Sequence, residues 1–159
     1  MSGNIAIGIQ DFSTIIQGNY FYIDKTPFIK EWWDCGDSAT LITRPRRFGK
    51  TLTMSMVEQF FSIDYAGRSD LFEHLAIWKE EKYRELQGTY PVISLSFARI
   101  KERDYEKTKQ KMCEVLRNIY IKFCYIKDSE KLTDADRAYY ERMLEENIKE
   151  TDATSSLYQ

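Results

Sequence analysis

One basic octapeptide constrains what this chain can fold into more than any other feature. It runs from Arg44 to Thr51 and reads Arg-Pro-Arg-Arg-Phe-Gly-Lys-Thr. An apolar run at 39–43 precedes it, and residues 51–62 continue from it with apolar side chains at helical spacing. Because a phosphate-binding loop requires a strand before it and a helix after it, the sequence predicts an anion site at this junction.

The octapeptide matches the last three positions of the Walker A pattern GxxxxGK[ST] and departs from its first position, where Arg44 replaces glycine. Gly49 would let the backbone approach a phosphate, and the amides at the helix start would face the anion with the positive end of the helix dipole behind them. Lys50, the one catalytic candidate, would reach the β- and γ-phosphates, and Thr51 would give its hydroxyl to Mg²⁺. The predicted nucleotide-binding residues are Arg44, Pro45, Arg46, Arg47, Phe48, Gly49, Lys50 and Thr51, with Thr51 as the metal ligand.

Two other interpretations of the octapeptide stay open. Three arginines and a lysine within this stretch are also typical of an ordinary solvated loop, or of a patch that contacts nucleic-acid phosphates. The whole chain has 23 Lys and Arg against 25 Asp and Glu, so its net charge of −2 argues against nucleic-acid binding by overall charge. The alternative function is therefore a non-hydrolytic binding or scaffold module in which this loop alone grips the phosphate of a nucleic acid or of a partner protein.

Short apolar runs alternate with amphipathic segments along the chain. The apolar runs predict three strands, at 19–23, 39–43 and 90–97. Apolar residues at helical spacing predict three helices, at 27–35, 51–62 and 104–125. Strands interleaved with helices predict an α/β fold, with a parallel sheet and flanking helices.

Helix-capping residues mark where two of the helices should begin. Thr26 precedes Pro27, so its hydroxyl is predicted to accept an orphan amide while proline occupies the first helical position. Thr133 and Asp136 are spaced as a variant capping box, which predicts a charged helix from there to about Lys149.

Cysteine and histidine usage excludes several classes of site. The cysteines Cys35, Cys113 and Cys124 form no CxxC pair, which fits neither a disulfide framework nor a zinc cluster. His74 is the only histidine, so a multi-histidine metal site is excluded. We expect reduced thiols packed as small apolar groups in a cytoplasmic protein, since no stretch approaches the roughly 18 apolar residues of a membrane span.

The octapeptide and several segments around it resemble those of bacterial and archaeal AAA-ATPase-like proteins, whose phosphate loop is written RPRRFGK[ST]. The likeness covers roughly residues 5–100, in the order IGIQDF, YFYIDKTPFI, LITRPRRFGKTL, Phe60-Phe61, LFEHLAI and YPVISLSF. The resemblance implies an AAA-type P-loop NTPase fold with ATP and Mg²⁺ as cofactors. It also implies that a C-terminal domain similar to PD-(D/E)XK nucleases often follows.

The YIDKT segment has two interpretations. From the residues alone, Thr26 is a helix cap and Asp24-Lys25 a turn. The resemblance implies instead that this segment lies along the base or the ribose, which makes Tyr22 and Asp24 candidate nucleotide contacts.

An acidic residue at the end of a second buried strand is the part of a working NTPase that this sequence lacks. That carboxylate holds Mg²⁺ and polarises water, but the run VISLSF ends at Ser96 and Phe97. The resemblance places the acidic strand further along, so we expect residues 1–159 to be the N-terminal portion of an AAA-ATPase-like P-loop domain, truncated before the Walker B strand. A sheet without that strand would keep an uncovered edge, which would favour a homo-oligomer.

The chain is expected to hydrolyse ATP negligibly even where it binds it, because phosphoryl transfer needs a metal-side carboxylate and a group that orients the attacking water. A phosphate-release assay on this chain, on a version extended through the acidic strand and on Lys50→Ala in each would measure this. Lys50-dependent turnover that equals that of the extended version would contradict the expectation, and Asp64 and Asp24 would then be the first carboxylates to substitute.

Overall fold

Helices provide the regular secondary structure of this protein. The computed structural model describes residues 4–98, 100–145, 148 and 150–156, and within them one isolated parallel β-bridge joins Ser62 to Tyr90. The chain divides into two compact units, of which the first ends at Val92 and the second begins at Ile93. No helix of the described ranges combines the length and the apolar composition that crossing a bilayer requires.

Four α-helices and three 3₁₀ turns lie within the described residues 4–92 of the first unit. The α-helices are α1 (Phe12–Gln17), α2 (Pro27–Cys35), α3 (Lys50–Phe61) and α4 (Glu81–Arg84). The 3₁₀ turns are Ile63–Tyr65, Ser69–Leu71 and Ala76–Lys79. The helices predicted at 27–35 and 51–62 are therefore confirmed, because the apolar spacing in each predicts the face that the helix buries.

An aromatic cluster forms the core of the first unit. Phe12, Phe60 and Phe72 have no exposed surface, and the ring of Phe72 lies 5.1 Å from each of the other two rings. Trp33 of α2 stacks on Phe61 of α3 at 5.3 Å. Burying large rings in this way supplies most of the apolar area of a small unit, so these contacts hold α1, α2 and α3 together.

Polar contacts fix α1 against α3 beside this core. Gln59, which is 2% exposed, donates from Nε2 to Asp11 at 2.7 Å, and Asp11 also caps α1 by accepting from the Thr14 N–H. The Phe12 N–H donates to Ser55 Oγ at 3.0 Å. Although burial alone would raise the pKa of Asp11, the hydrogen bonds from Ser13, Thr14 and Gln59 lower it from its ordinary value of 3.8.

The predicted parallel α/β sheet is wrong. The described residues at 19–23, 39–43 and 90–97 form no strand, and the bridge at Tyr90 is the one pairing there. Several of the apolar side chains that were expected to be buried face solvent instead, with Leu41 85% and Ile93 66% exposed. A run of apolar residues predicts a buried strand only if a neighbouring strand supplies hydrogen bonds, and within the described ranges none lies beside these runs.

Thr26 does not cap α2 as predicted. Its side chain makes no capping hydrogen bond; its hydroxyl donates to Asp24 Oδ1 at 2.6 Å and accepts from the Ile77 N–H at 3.2 Å. Thr26 is fully buried, and its hydroxyl makes a tertiary contact instead of the helix-capping bond that the local sequence predicts.

The three cysteines form no disulfide with one another, but two of them are not packed inside as expected. Cys35 and Cys124 are exposed and Cys113 is half-buried. His74, to which the sequence gives no role, is also exposed.

The second unit consists of helices around a small core. Its elements are α5 (Tyr105–Lys122), a 3₁₀ turn (Cys124–Asp128), α6 (Asp134–Leu144) and α7 (Glu150–Ser155). Leu116, Met143 and Ala153 form the buried centre. The capping box of Thr133 and Asp136 is confirmed, but the helix that it opens ends at Leu144 rather than near Lys149, which lies outside the described residues.

Replacing Asp11 with Asn should destabilise the chain at pH 7 by about 1 to 2 kcal/mol, because an amide would turn a donor towards the buried Gln59 amide. The lowered pKa of Asp11 means that its carboxylate stabilises the fold above pH 3.8 and that this contribution is lost as the pH falls below that value. The difference in unfolding free energy between the native chain and Asp11→Asn should therefore become smaller as the pH is lowered from 7 to 3. Denaturant titrations at each pH measure it, with Asp37→Asn at an exposed position as the control. A difference that is constant with pH would contradict this assignment.

Candidate phosphate-binding site

Helix α3 carries the octapeptide on its exposed amino end. Met56 and Phe60, further along the helix, have no exposed surface, whereas Lys50 and Thr51 at its start are exposed. Gly49 is the N-cap, and its carbonyl accepts from the Thr53 N–H at 2.8 Å. The helix is therefore held by the core at one end and presents its free amides at the other.

Those first amides have no hydrogen-bond partner in the part of the chain that the structure describes. The N–H groups of Gly49, Lys50 and Thr51 donate to no described group. Unpaired amides at a helix start carry the positive end of the helix dipole, which favours an anion. They are consequently free to bind a phosphate.

Two left-handed residues curl the loop before the helix. Arg47 has φ of 70° and Gly49 has φ of 75°. Left-handed backbone is readily adopted by glycine but is uncommon for arginine, so Arg47 holds a strained conformation. Backbone of alternating hand brings successive amides to one concave side, which is the form of an anion nest.

Two lysine ammonium groups bind carbonyl groups of the loop. One lysine belongs to the octapeptide and the other lies outside it. Lys50 Nζ donates to the Arg44 carbonyl across the loop. Lys25 Nζ, from the segment before α2, donates to the Phe48 carbonyl at 3.0 Å. The loop therefore turns two of its carbonyl groups towards cations.

Two clefts border the loop. The larger, of about 810 Å³, is lined by residues 6–10, by loop residues and by the start of α3. The smaller, of about 430 Å³, is bounded by Lys25, Phe28 and Ile42 together with loop residues. Lys50 is a lining residue of both clefts.

The structure brings most of the predicted site residues to these clefts. Arg46, Arg47, Gly49, Lys50 and Thr51 line the larger cleft. Arg44, Phe48, Lys50 and Asp24 line the smaller one. Pro45 is exposed and borders neither.

Asp24 and Tyr22, the two candidate nucleotide contacts, both have partners in the protein. The Asp24 carboxylate accepts from the Thr26 N–H and hydroxyl and, at 2.7 Å, from the Ala76 N–H. The Tyr22 hydroxyl donates to Met56 Sδ and accepts from the Lys25 N–H, both at 3.3 Å. Burial raises the pKa of Tyr22 to about 12. Their contact with a nucleotide stays a prediction.

Sequence reasoning missed two contributors to this site. Lys25 was assigned to a turn, and residues 6–10 were given no role, although both border the clefts. Contacts between segments that are distant in sequence leave no periodic signal. The one available signal was the cation in YIDKT, which stands beside a basic loop only once the chain is folded.

Thr51 fits the role of a metal ligand only in part. Its hydroxyl lies at the start of α3, as the magnesium-binding threonine of a phosphate loop would. Within the described ranges no group of three or more His, Cys, Asp or Glu side chains is arranged to hold a metal ion. Protein ligands to Mg²⁺ are often few, because phosphates and waters complete its octahedron.

Comparison with known proteins connects this chain to one family. A family model described as a predicted AAA-ATPase matches residues 6–157. A protein of Azotobacter chroococcum mcd 1, described as an uncharacterized protein in the vnfD 5′ region, is 33% identical over 113 residues. The match covers 70% of this chain and 20% of that protein, so the chain spans only a small part of its relative's length. No solved structure matches the chain.

Replacing Arg47 with Gly should leave the protein more stable than replacing it with Ala, by about 1 kcal/mol, because only the glycine relieves the left-handed backbone. Both changes remove the same charge, so the difference isolates the strain. Urea denaturation measures it, and the same two changes at Arg46, which has no positive φ, are the control and should favour Ala. Equal stabilities at position 47 would show that its conformation carries no strain.

Proposed function

This chain belongs to the AAA-ATPase-like family, and we propose that it is a nucleotide-binding module whose loop at 44–51 holds the phosphates of ATP. The single observation that carries the proposal is the start of α3. Gly49, Lys50 and Thr51 have amides without described partners, and all three residues line the larger cleft. This is the donor set that a polyphosphate needs.

The charges around the loop support the same proposal. No carboxylate of the described residues lies within 4.0 Å of the cationic groups of Arg44, Arg46, Arg47 or Lys50. Cations without paired carboxylates make a strongly positive local field on a chain of net charge −2. The field favours a compact polyanion such as a triphosphate over a neutral ligand.

The shape of the larger cleft supports a nucleotide rather than phosphate alone. Its volume of about 810 Å³ lies in the range of small-molecule sites. Its lining includes the apolar Ile7 and Ile9 together with the cationic Arg46 and Arg47. A nucleotide has the same two parts, an apolar base and a charged phosphate chain.

Mg²⁺ is the metal proposed with ATP, and Thr51 is the residue that would contribute a ligand to it. Bound Mg²⁺ would neutralise part of the phosphate charge. The residues of this chain would orient the phosphates through backbone amides and hold them through Lys50.

The activity of a longer protein that contains this module is a further proposal. ATP hydrolysis there would need the acidic residue for which this sequence offers no strand. Two further features also remain predictions: a nuclease-like domain that follows the module, and assembly into a homo-oligomer.

Isothermal titration with Mg-ATP tests the proposed function. We expect binding by the native chain and its loss, by roughly a hundredfold in affinity, in Lys50→Ala, because that change removes the ammonium that contacts the phosphates. Lys79→Ala, at an exposed position outside the clefts, is the matched control and should bind as the native chain does.

Two outcomes would contradict the proposal. Equal ATP affinity in Lys50→Ala and Lys79→Ala would show that the loop does not bind ATP. Absence of any response to ATP, together with oligonucleotide binding that falls steeply with salt, would favour the scaffold module that grips nucleic-acid phosphate.

A further inference from the structure

Lys25 contacts the phosphate loop from outside it. Its half-buried side chain extends from the segment before α2, and Nζ donates to the Phe48 carbonyl at 3.0 Å. No carboxylate of the described residues lies within 4.0 Å of this ammonium. The Phe48 carbonyl is therefore the partner that orients it.

The backbone on both sides of Lys25 is fixed to the first unit. The Lys25 N–H donates to the Tyr22 hydroxyl at 3.3 Å. The next residue, Thr26, is fully buried, and Asp24 binds the Thr26 N–H at 2.9 Å and the Ala76 N–H at 2.7 Å. Because its neighbours are held, Lys25 presents its ammonium from a fixed base.

The bond from Lys25 determines which way the Phe48–Gly49 peptide faces. A trans peptide is planar, and its C=O and N–H point in opposite directions. No described peptide bond is cis. With the carbonyl of Phe48 turned to Lys25, the N–H of Gly49 is turned away from Lys25, and Gly49 borders the larger cleft whereas Lys25 does not.

This peptide would flip easily without such a bond. Flipping changes φ of the following residue, and glycine adopts both signs of φ at little cost. A flipped peptide would turn the Phe48 carbonyl towards the larger cleft, where a carbonyl oxygen repels phosphate. The loop therefore needs an external group to select one orientation.

We propose that Lys25 is a positioning residue of the nucleotide site: by holding the Phe48 carbonyl it directs the Gly49 N–H into the larger cleft as a phosphate donor. The inference rests on the proposed function, since it assigns the phosphates to that cleft. Lys25 acts through the backbone and does not itself contact the nucleotide.

The experiment uses the full chain labelled with [¹⁵N]glycine and titrated with Mg-ATP. The sequence has 7 glycines, and the spectrum of Gly49→Ala identifies the Gly49 signal. In the native chain we expect ATP to move the Gly49 amide proton downfield, as a hydrogen bond to phosphate does. In Lys25→Met we expect that shift to be lost and the ATP affinity to fall about tenfold or more.

Matched variants separate the positioning role from charge and from folding. Lys25→Arg keeps a cationic donor and should restore the Gly49 shift. Lys30→Met removes the same charge from a lysine that pairs with Glu80, and it should bind ATP as the native chain does. The remaining glycine signals report whether each variant is folded. If Lys25→Met is not folded, Lys25→Arg and Lys25→Gln carry the comparison, and Gln, a neutral donor that can still bind the Phe48 carbonyl, should retain both the Gly49 shift and the ATP affinity.

Three outcomes would overturn the inference. If folded Lys25→Met keeps the native Gly49 shift and the native ATP affinity, Lys25 has no positioning role, and the proposed function is unaffected. Weaker binding with the Gly49 shift intact, in Lys25→Met or in Lys25→Gln, would show that Lys25 acts by charge alone. No ATP binding by the native chain would overturn the proposed function and this inference with it.

Discussion

The packing of α3 against the aromatic core is the contact on which the rest of the candidate site depends. Met56 and Phe60 have no exposed surface, and the Phe60 ring lies 5.1 Å from that of Phe72. A helix rises 1.5 Å per residue, so Lys50 stands only about 9 Å along the axis from Met56. Side chains that are buried two turns away therefore fix the free amides at the helix start. The packing of the core in this way determines where the loop lies.

The carbonyl groups of the loop are bound by cations, whereas the amides at the start of α3 have no partner among the described residues. Lys50 binds the Arg44 carbonyl and Lys25 binds the Phe48 carbonyl, while the amides from Gly49 to Thr51 have no described partner. An anion site needs this separation, because a carbonyl oxygen among the donors would cancel part of their field. Arg47 holds a left-handed conformation in the same turn, which is strain that tertiary structure has to offset.

Local patterns in the sequence predicted local structure and failed where structure depends on distant partners. The apolar spacing in α2 and α3 and the capping box at Thr133 concern residues within one or two turns, and each was confirmed. The strands were wrong because an apolar run such as 39–43 cannot report whether another segment lies beside it. The prediction that the Thr26 hydroxyl caps α2 was wrong for a related reason. That hydroxyl accepts from the Ile77 N–H, which comes near it only when the chain folds. At the site, the octapeptide identified its own residues, but the contribution of Lys25 depends on a contact between two segments.

Gly49 has two separate reasons to be glycine, and the contact with Lys25 supplies the second. Its φ of 75° is one, although an asparagine tolerates such a conformation. The other is space, because a Cβ on Gly49 would lie 3.0 Å from Lys25 Nζ. A lysine side chain can withdraw from such an atom, but withdrawal would release the Phe48 carbonyl. Any side chain at position 49 therefore either strains the backbone or loosens the peptide that Lys25 holds. The YIDKT segment and the octapeptide appear as separate motifs in the sequence, yet in the folded chain each restricts the residues that the other can contain.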